Sequence, residues 1–284
     1  MSMQAGFRAL RPHVGLLSIL LLAAVQASAG VGNDWLPTVP PPPRNLDEAL
    51  GLCGGGDSKT YDSDKDPWRR LEPQLEAQDQ KLQAAIKAKA GGDSQQAQQD
   101  MAAQMLSQMA DQMSDPNAVM ANMQSTQAYS QYQASLGPAS PDQAAQAAFG
   151  PAYKAGLGKV NAILKARDAK LEKCPLQHGE AGDFPLQSCA DPIQAEAELK
   201  KAAAANAYLA EVNQAWPAYL SGVKDYFKKV EALPPGVDAN NPQIKLTRQG
   251  IPGQELDGIK KMAEVTHNLC SNAVGLKSKY GPDG

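Results

Sequence analysis

Six of the seven methionines beyond residue 29 fall between positions 101 and 123, and four of them, Met101, Met105, Met109 and Met113, stand four apart. Thioethers are soft ligands of the kind Cu(I) prefers. Steps of four rotate by about 40° around an ideal helix, so neighbouring sulfurs can converge on one ion while all four cannot face one way. The plainer reading makes them the apolar stripe of a Gln/Ala helix, where flexible side chains fill gaps. Residues 91–150 also lack the His and Cys that commonly reinforce a copper site.

Other groupings carry weaker chemistry. Asp62, Asp64 and Asp66 have the spacing that opens a calcium loop, but Pro67 and Pro73 occupy the places of its turn glycine and closing glutamate. A solvated acidic loop that caps a helix accounts for them more simply. Cys174, His178 and Cys189, with His267 near Cys270, are zinc-ligand types in no common zinc spacing. The run Gly54-Gly55-Gly56-Asp57-Ser58-Lys59-Thr60 approaches a phosphate loop, yet no glycine directly precedes the lysine and no strand precedes the run. Glu196, Glu198 and Asp238 read as surface charges. Neither His178 nor His267 sits in a recognisable nucleophile or metalloprotease motif, so the reading is non-enzymatic, with no cofactor.

The cysteines have a stronger interpretation. Arg8 and Arg11, an apolar run from Val14 to Val25 and the small residues Ala27-Ser28-Ala29 form the pattern of a secretory signal peptide, with cleavage expected between Ala29 and Gly30. The apolar run falls short of the ~20 residues a membrane span needs, so the mature chain is expected to carry no integral membrane segment. Cys53, Cys174, Cys189 and Cys270 all lie beyond the cut, and in an oxidising periplasmic or extracellular setting an even set of cysteines reads first as disulfides. Closing Cys174 onto Cys189 would staple two helices at their ends, leaving Cys53 to tie the start of the mature chain to its last helix through Cys270. Three pairings exist on paper, and this one is preferred.

Loss of the leader removes two arginines and leaves 25 basic against 30 acidic residues. No dense Lys/Arg stripe is present, which argues against nucleic-acid binding.

The elements that would position these residues are helical. Alanine is abundant, the whole chain has only four Phe and three Trp, and no stretch alternates long enough to argue a sheet. An all-α, elongated helical bundle with coiled-coil-like packing and disulfide staples is expected. Its parts are a signal peptide (1–29), a Pro/Gly-rich extended segment (30–66) with a short helical turn at 46–52, a Gln/Ala/Met-rich helical region of low complexity (67–150) and a bundle (151–284) with the loop 174–189 closed by cysteines.

Within 67–150, a helix beginning after Asp66-Pro67 or Glu72-Pro73 and carrying Leu71, Leu75, Leu82 and Ile86 runs to about residue 90, and Asp115-Pro116 and Ser140-Pro141 punctuate three further helices. Disorder competes for residues 91–150, where little bulky apolar surface offsets ordering entropy.

The clearest seam follows Asp191-Pro192 and runs through Leu199, Ala202, Asn206, Leu209, Asn213, Trp216, Leu220, Val223, Phe227 and Val230. Pro217 should bend this helix, and Pro234-Pro235-Gly236 ends it. A polar, proline-containing loop then leads to a final helix over about 253–279, striped by Leu256, Ile259, Ala263, Thr266, Cys270 and Ala273. Asn206 and Asn213 on the long seam are residues that fix register and neighbour choice, or else face a wet groove. With Trp216 they mark an expected interaction seam. The partner expected is another exported or envelope protein, or a second copy of the chain.

Overall fold

The computed structural model describes residues 31–54, 66–89, 116–136, 141–179 and 182–279, together with isolated helical positions at 103 and 107. Its elements are α1 (Val31–Trp35), α2 (Leu46–Cys53), α3 (Pro67–Lys89), α4 (Pro116–Ser135), α5 (Pro141–Leu171), β1 (Leu176–Gly179), β2 (Gly182–Pro185), α6 (Gln187–Glu231), α7 (Pro242–Gln249) and α8 (Ile251–Ser278). The expected signal peptide (1–29), Asp62, Asp64, Lys59, Met101, Met105, Met109 and Met113 lie outside the described residues.

Three long helices make the frame. Lys170 pairs with Glu196 at 2.5 Å and Lys159 with Glu211 at 4.0 Å, so residue numbers rise along α5 as they fall along α6 and the two run antiparallel. The same opposition holds for α6 and α8. Glu198 pairs with Lys277 near one end, while the Phe227 ring lies against Gly258 near the other. α5 and α8 are therefore parallel, and their approach is close: a Cβ on Gly156 would stand 2.9 Å from Leu276 Cδ1.

The expected stripe on α8 is buried at every position named, because α2, α3, α5 and α6 all pack on this helix. On α6 the stripe holds from Leu209 through Trp216, Val223, Phe227 and Val230, but Leu199 is 73% exposed. Tyr208, Val212 and Tyr219 are buried alongside it. A helix clasped by α5 on one side and α8 on another buries more than one seam, which a single stripe cannot represent.

Among the described residues the chain is all-α apart from one two-stranded hairpin. That hairpin occupies the loop expected between Cys174 and Cys189. Its strands pair antiparallel from Leu176↔Pro185 to Gly179↔Gly182, and four residues a side are too few to register as alternation. Gly182 takes φ +111°, a conformation that L side chains rarely adopt.

Several boundaries differ from expectation. α6 begins at Gln187, five residues before Pro192, and continues through Pro217 without a break. α5 runs unbroken through Gly150 and Pro151. The loop before the last helix contains α7, capped by Asn241, whose Oδ1 accepts from the amides of Gln243 at 2.9 Å and Ile244 at 3.4 Å. The N-terminal segment read as extended holds α1 and the full turns of α2, the latter capped by Asn45 through the Glu48 amide at 2.9 Å. α3 begins at Pro67, the earlier of its two expected starts, and α4 begins at Pro116 as its Asp-Pro signal predicts.

Both disulfides have the preferred connectivity, Cys53–Cys270 and Cys174–Cys189. No helix among the described residues is long and apolar enough to cross a membrane.

Candidate functional site

Two places gather side chains that could act on something other than the chain itself. The first is a groove of about 470 Å³ between α3 and α8, with Trp68, Leu75 and Ala263 in its lining and Glu72, Lys261 and Glu264 among its charged residues. At one end, Asp66 is fully buried at the start of α3. Its Oδ1 accepts from the Trp68 amide at 2.9 Å and from the Arg69 amide at 3.3 Å, the expected helix-capping role. Its Oδ2 stands 3.0 Å from His267 Nδ1, a close contact without the alignment of a hydrogen bond. Trp68 meets the His267 ring edge-on, with centroids 6.0 Å apart.

His267 Nε2 lies 3.5 Å from Ser271 Oγ. Asp66, His267 and Ser271 thus stand in the order of an acid, a base and a hydroxyl. The serine is one turn along the same continuous helix, where backbone amides are committed to carbonyls four residues back, so an oxyanion would find no spare amide there. The arrangement suits orientation of His267 over the groove better than acyl transfer. The calcium reading loses Asp66, whose carboxylate is used inside the fold.

The second place is the hairpin. The Cys174–Cys189 bond closes its base, and the Leu186 amide donates to the Pro175 carbonyl at 2.7 Å, adding a rung beyond the paired strands. From this clamped base the hairpin shows Leu176 at 66%, Phe184 at 43% and Leu186 at 37% exposure. A Cβ on Gly179 would meet Phe184 Cε1 at 2.4 Å, so the glycine is what allows the phenyl ring to lie across the opposite strand. His178 and Asp183 pair across the same hairpin.

The other sequence candidates are distributed as follows. All four cysteines are bonded, leaving no thiolate for zinc, and no group of three or more metal-ligating His, Cys, Asp or Glu side chains occurs among the described residues. Met120 and Met123 lie on α4 at 60% and 67% exposure. Asn206 Oδ1 accepts from the Leu46 amide at 2.8 Å, and Asn213 Nδ2 donates to the Pro43 carbonyl at 2.7 Å and to the Leu209 carbonyl at 2.8 Å. Trp216 is buried beside Phe149 and Tyr219, at centroid distances of 6.1 Å and 5.2 Å. Asp238 caps its own turn by accepting from the Asn240 amide at 2.8 Å.

Glu196 is held down to about 2 by hydrogen bonds from Lys170 and Lys200. Burial pushes Glu198 up, but Lys201 and Lys277 outweigh it and hold the carboxyl below its ordinary value. Lys201 is 1% exposed, and its Nζ also donates to the Lys279 carbonyl at 2.9 Å. Its place on the Ala205–Tyr208–Val212 stripe could have revealed that burial. Tyr208 is raised to about 12 by burial, and Tyr219 is raised by the same cause. Glu255, buried where α8 meets α1, gave no sign in the sequence, because nothing local distinguishes it from an exposed glutamate near a helix start. No known protein family, curated protein or solved structure matches the chain.

Proposed function

We propose that this chain is an exported, non-enzymatic helical protein that acts by gripping another exported or envelope protein, or a second copy of itself, in an assembly, scaffold or chaperone-like role. The observation that carries the reading is the stapled hairpin. A covalently closed base pre-organises the hairpin, so presenting Phe184 and Leu186 on one face and Leu176 on the other costs little additional ordering, and exposed apolar side chains on a rigid element are common centres of protein contact. The two disulfides accord with an oxidising compartment, and the leader pattern at 1–29 accords with periplasmic or secreted delivery.

A photo-crosslinker at position 184 in the exported protein tests the proposal. A discrete cross-linked species is expected, and it should disappear in a Leu186→Asp variant that melts like the parent. A monomer that gives no cross-link at 184 would remove the support.

Exposed Met120 and Met123, one turn apart, favour a second reading in which they extend a Cu(I)-binding surface from Met101, Met105, Met109 and Met113. Titration with Cu(I) against a competing chelator decides it, and uptake no tighter than about micromolar would end this reading.

A further inference from the structure

α5 and α8 touch at both ends of a shared stretch. A Cβ on Gly258 would stand 3.6 Å from Pro141 Cγ at one end, and a Cβ on Gly156 would stand 2.9 Å from Leu276 Cδ1 at the other. Between these contacts the two parallel helices flank a groove of about 360 Å³, with buried Phe149, Leu269 and Tyr208 in its floor. It shares Lys261 and Glu264 with the α3–α8 groove, which opens on the other flank of α8.

The walls are chiefly uncharged. Gln146 stands on α5 and Asn268 and Asn272 on α8, and each amide carries both donors and an acceptor. Asp142 and Glu264 against Lys261 leave no excess of cations to draw a phosphate, a nucleic acid or an anionic lipid. The aromatic rings are already engaged. Phe149 stacks on Trp216 and meets Tyr219 edge-on, and Tyr208 meets Tyr153 edge-on at 5.9 Å. Phe149 and Tyr208 are 3% and 2% exposed, so neither offers the open face on which a sugar ring would stack.

Spacing selects what remains. Asn268 and Asn272 are one turn apart, a rise of about 6 Å along α8. An extended strand repeats the N–H and C=O groups along one edge every two residues, about 6.7 Å. Each of the two amides can therefore take an N–H and a C=O from alternate residues of one extended chain. The Tyr208 hydroxyl faces Asn272 from α6 and steadies it for that role. Gln146 and Tyr153 line the α5 side, along the opposite edge.

We propose that the α5–α8 groove binds an extended, uncharged peptide segment of another polypeptide, with Asn268 and Asn272 pairing to its backbone. From Lys261 to Asn272 the α8 wall runs about 16 Å, room for about five extended residues. With both strand edges turned to the walls, alternate side chains face the apolar floor and the others face solvent. The segment favoured therefore alternates apolar with small polar residues. This goes beyond the grip proposed for the hairpin, because it uses a different surface and reads backbone.

Fluorescence anisotropy with a fluorescein-labelled heptapeptide that alternates valine with serine and threonine tests the site on the intact, disulfide-bonded protein. Saturable binding at about 100 μM or tighter is expected, weakened about five- to tenfold by Asn268→Ala and by Gln146→Ala. Both positions are exposed on helices, and alanine favours a helix more than either amide, so these variants should fold. The same peptide N-methylated at alternate residues should bind about tenfold more weakly, since it loses the donors of one edge. Leu186→Asp on the hairpin should leave the affinity at the parent value; loss of binding there would move the peptide to the hairpin and overturn the groove. No saturable binding, equal affinity for the parent and Asn268→Ala, or displacement of the peptide by neutral maltotetraose would also overturn it, the last by making the groove a saccharide site.

Discussion

Asn206 and Asn213 show how two polar side chains can direct a stretch of chain with little regular structure. Pro40 to Pro43 have no amide hydrogens to offer a helix or sheet, so the path of this segment must be fixed by its carbonyls and by its neighbours. Asn213 takes the Pro43 carbonyl, Asn206 takes the Leu46 amide at the start of α2, and the Trp68 indole donates to the Pro40 carbonyl at 3.3 Å. The seven-residue spacing predicts two polar residues on one seam. Their partner is a proline segment some 160 residues away, which no local pattern names. Asn213→Ala should cost about 1–2 kcal/mol, because it removes two hydrogen bonds and leaves the Pro43 carbonyl unmet. The first sign should be faster proteolysis around residues 36–46, measured against the parent under native conditions.

At the scale of elements, the two disulfides have different work. Cys174–Cys189 closes a sequence separation of 15 and Cys53–Cys270 one of 217. Loop entropy assigns about 3 kcal/mol to the shorter closure and more to the longer. Replacing Cys174 and Cys189 by Ser should loosen the hairpin and weaken position-184 cross-linking while α8 keeps its amide-exchange protection. Replacing Cys53 and Cys270 should lower the melting temperature more and expose α2 first, as hydrogen exchange would register.

α4 is joined to the loop before α7 by another device. Asn241, 3% exposed, donates to the Asn122 carbonyl at 3.1 Å and to Thr126 Oγ1 at 3.2 Å while capping α7, and Ser125 Oγ accepts from the Asp238 amide at 2.8 Å. Asn241→Ala should cost about 2 kcal/mol, since it loses a cap and leaves buried polar groups unmet, with a lower denaturant midpoint as the readout. This asparagine was legible only as a turn residue; its attachment to α4 depends on a helix more than a hundred residues away.

At the scale of the whole molecule, stability rests on narrow spacing rather than bulk. Ala197, Ala204 and Ala205 on α6 and Gly156 and Gly258 on its neighbours let three long helices approach closely around few large side chains. Gly156→Val should force α5 away from Leu276 and destabilise by about 1–3 kcal/mol, the range for overpacking, visible as a lower melting temperature with helicity retained.

Some of this was settled by composition and spacing alone. Abundant alanine, three- and four-residue stripes, Asp-Pro and Ser-Pro starts and four cysteines are local features, and local hydrogen bonding and capping are enough to turn them into helices with a preferred disulfide pairing. The packing partner of each face was not local. Whether Leu199 points out while Tyr208 points in, whether the Cys174–Cys189 loop rises as an apolar hairpin, and whether Glu255 is buried against the amide of Gly32 all depend on which helices lie alongside. Those neighbours are chosen by the summed burial of several elements at once, a quantity that no single stretch of sequence contains.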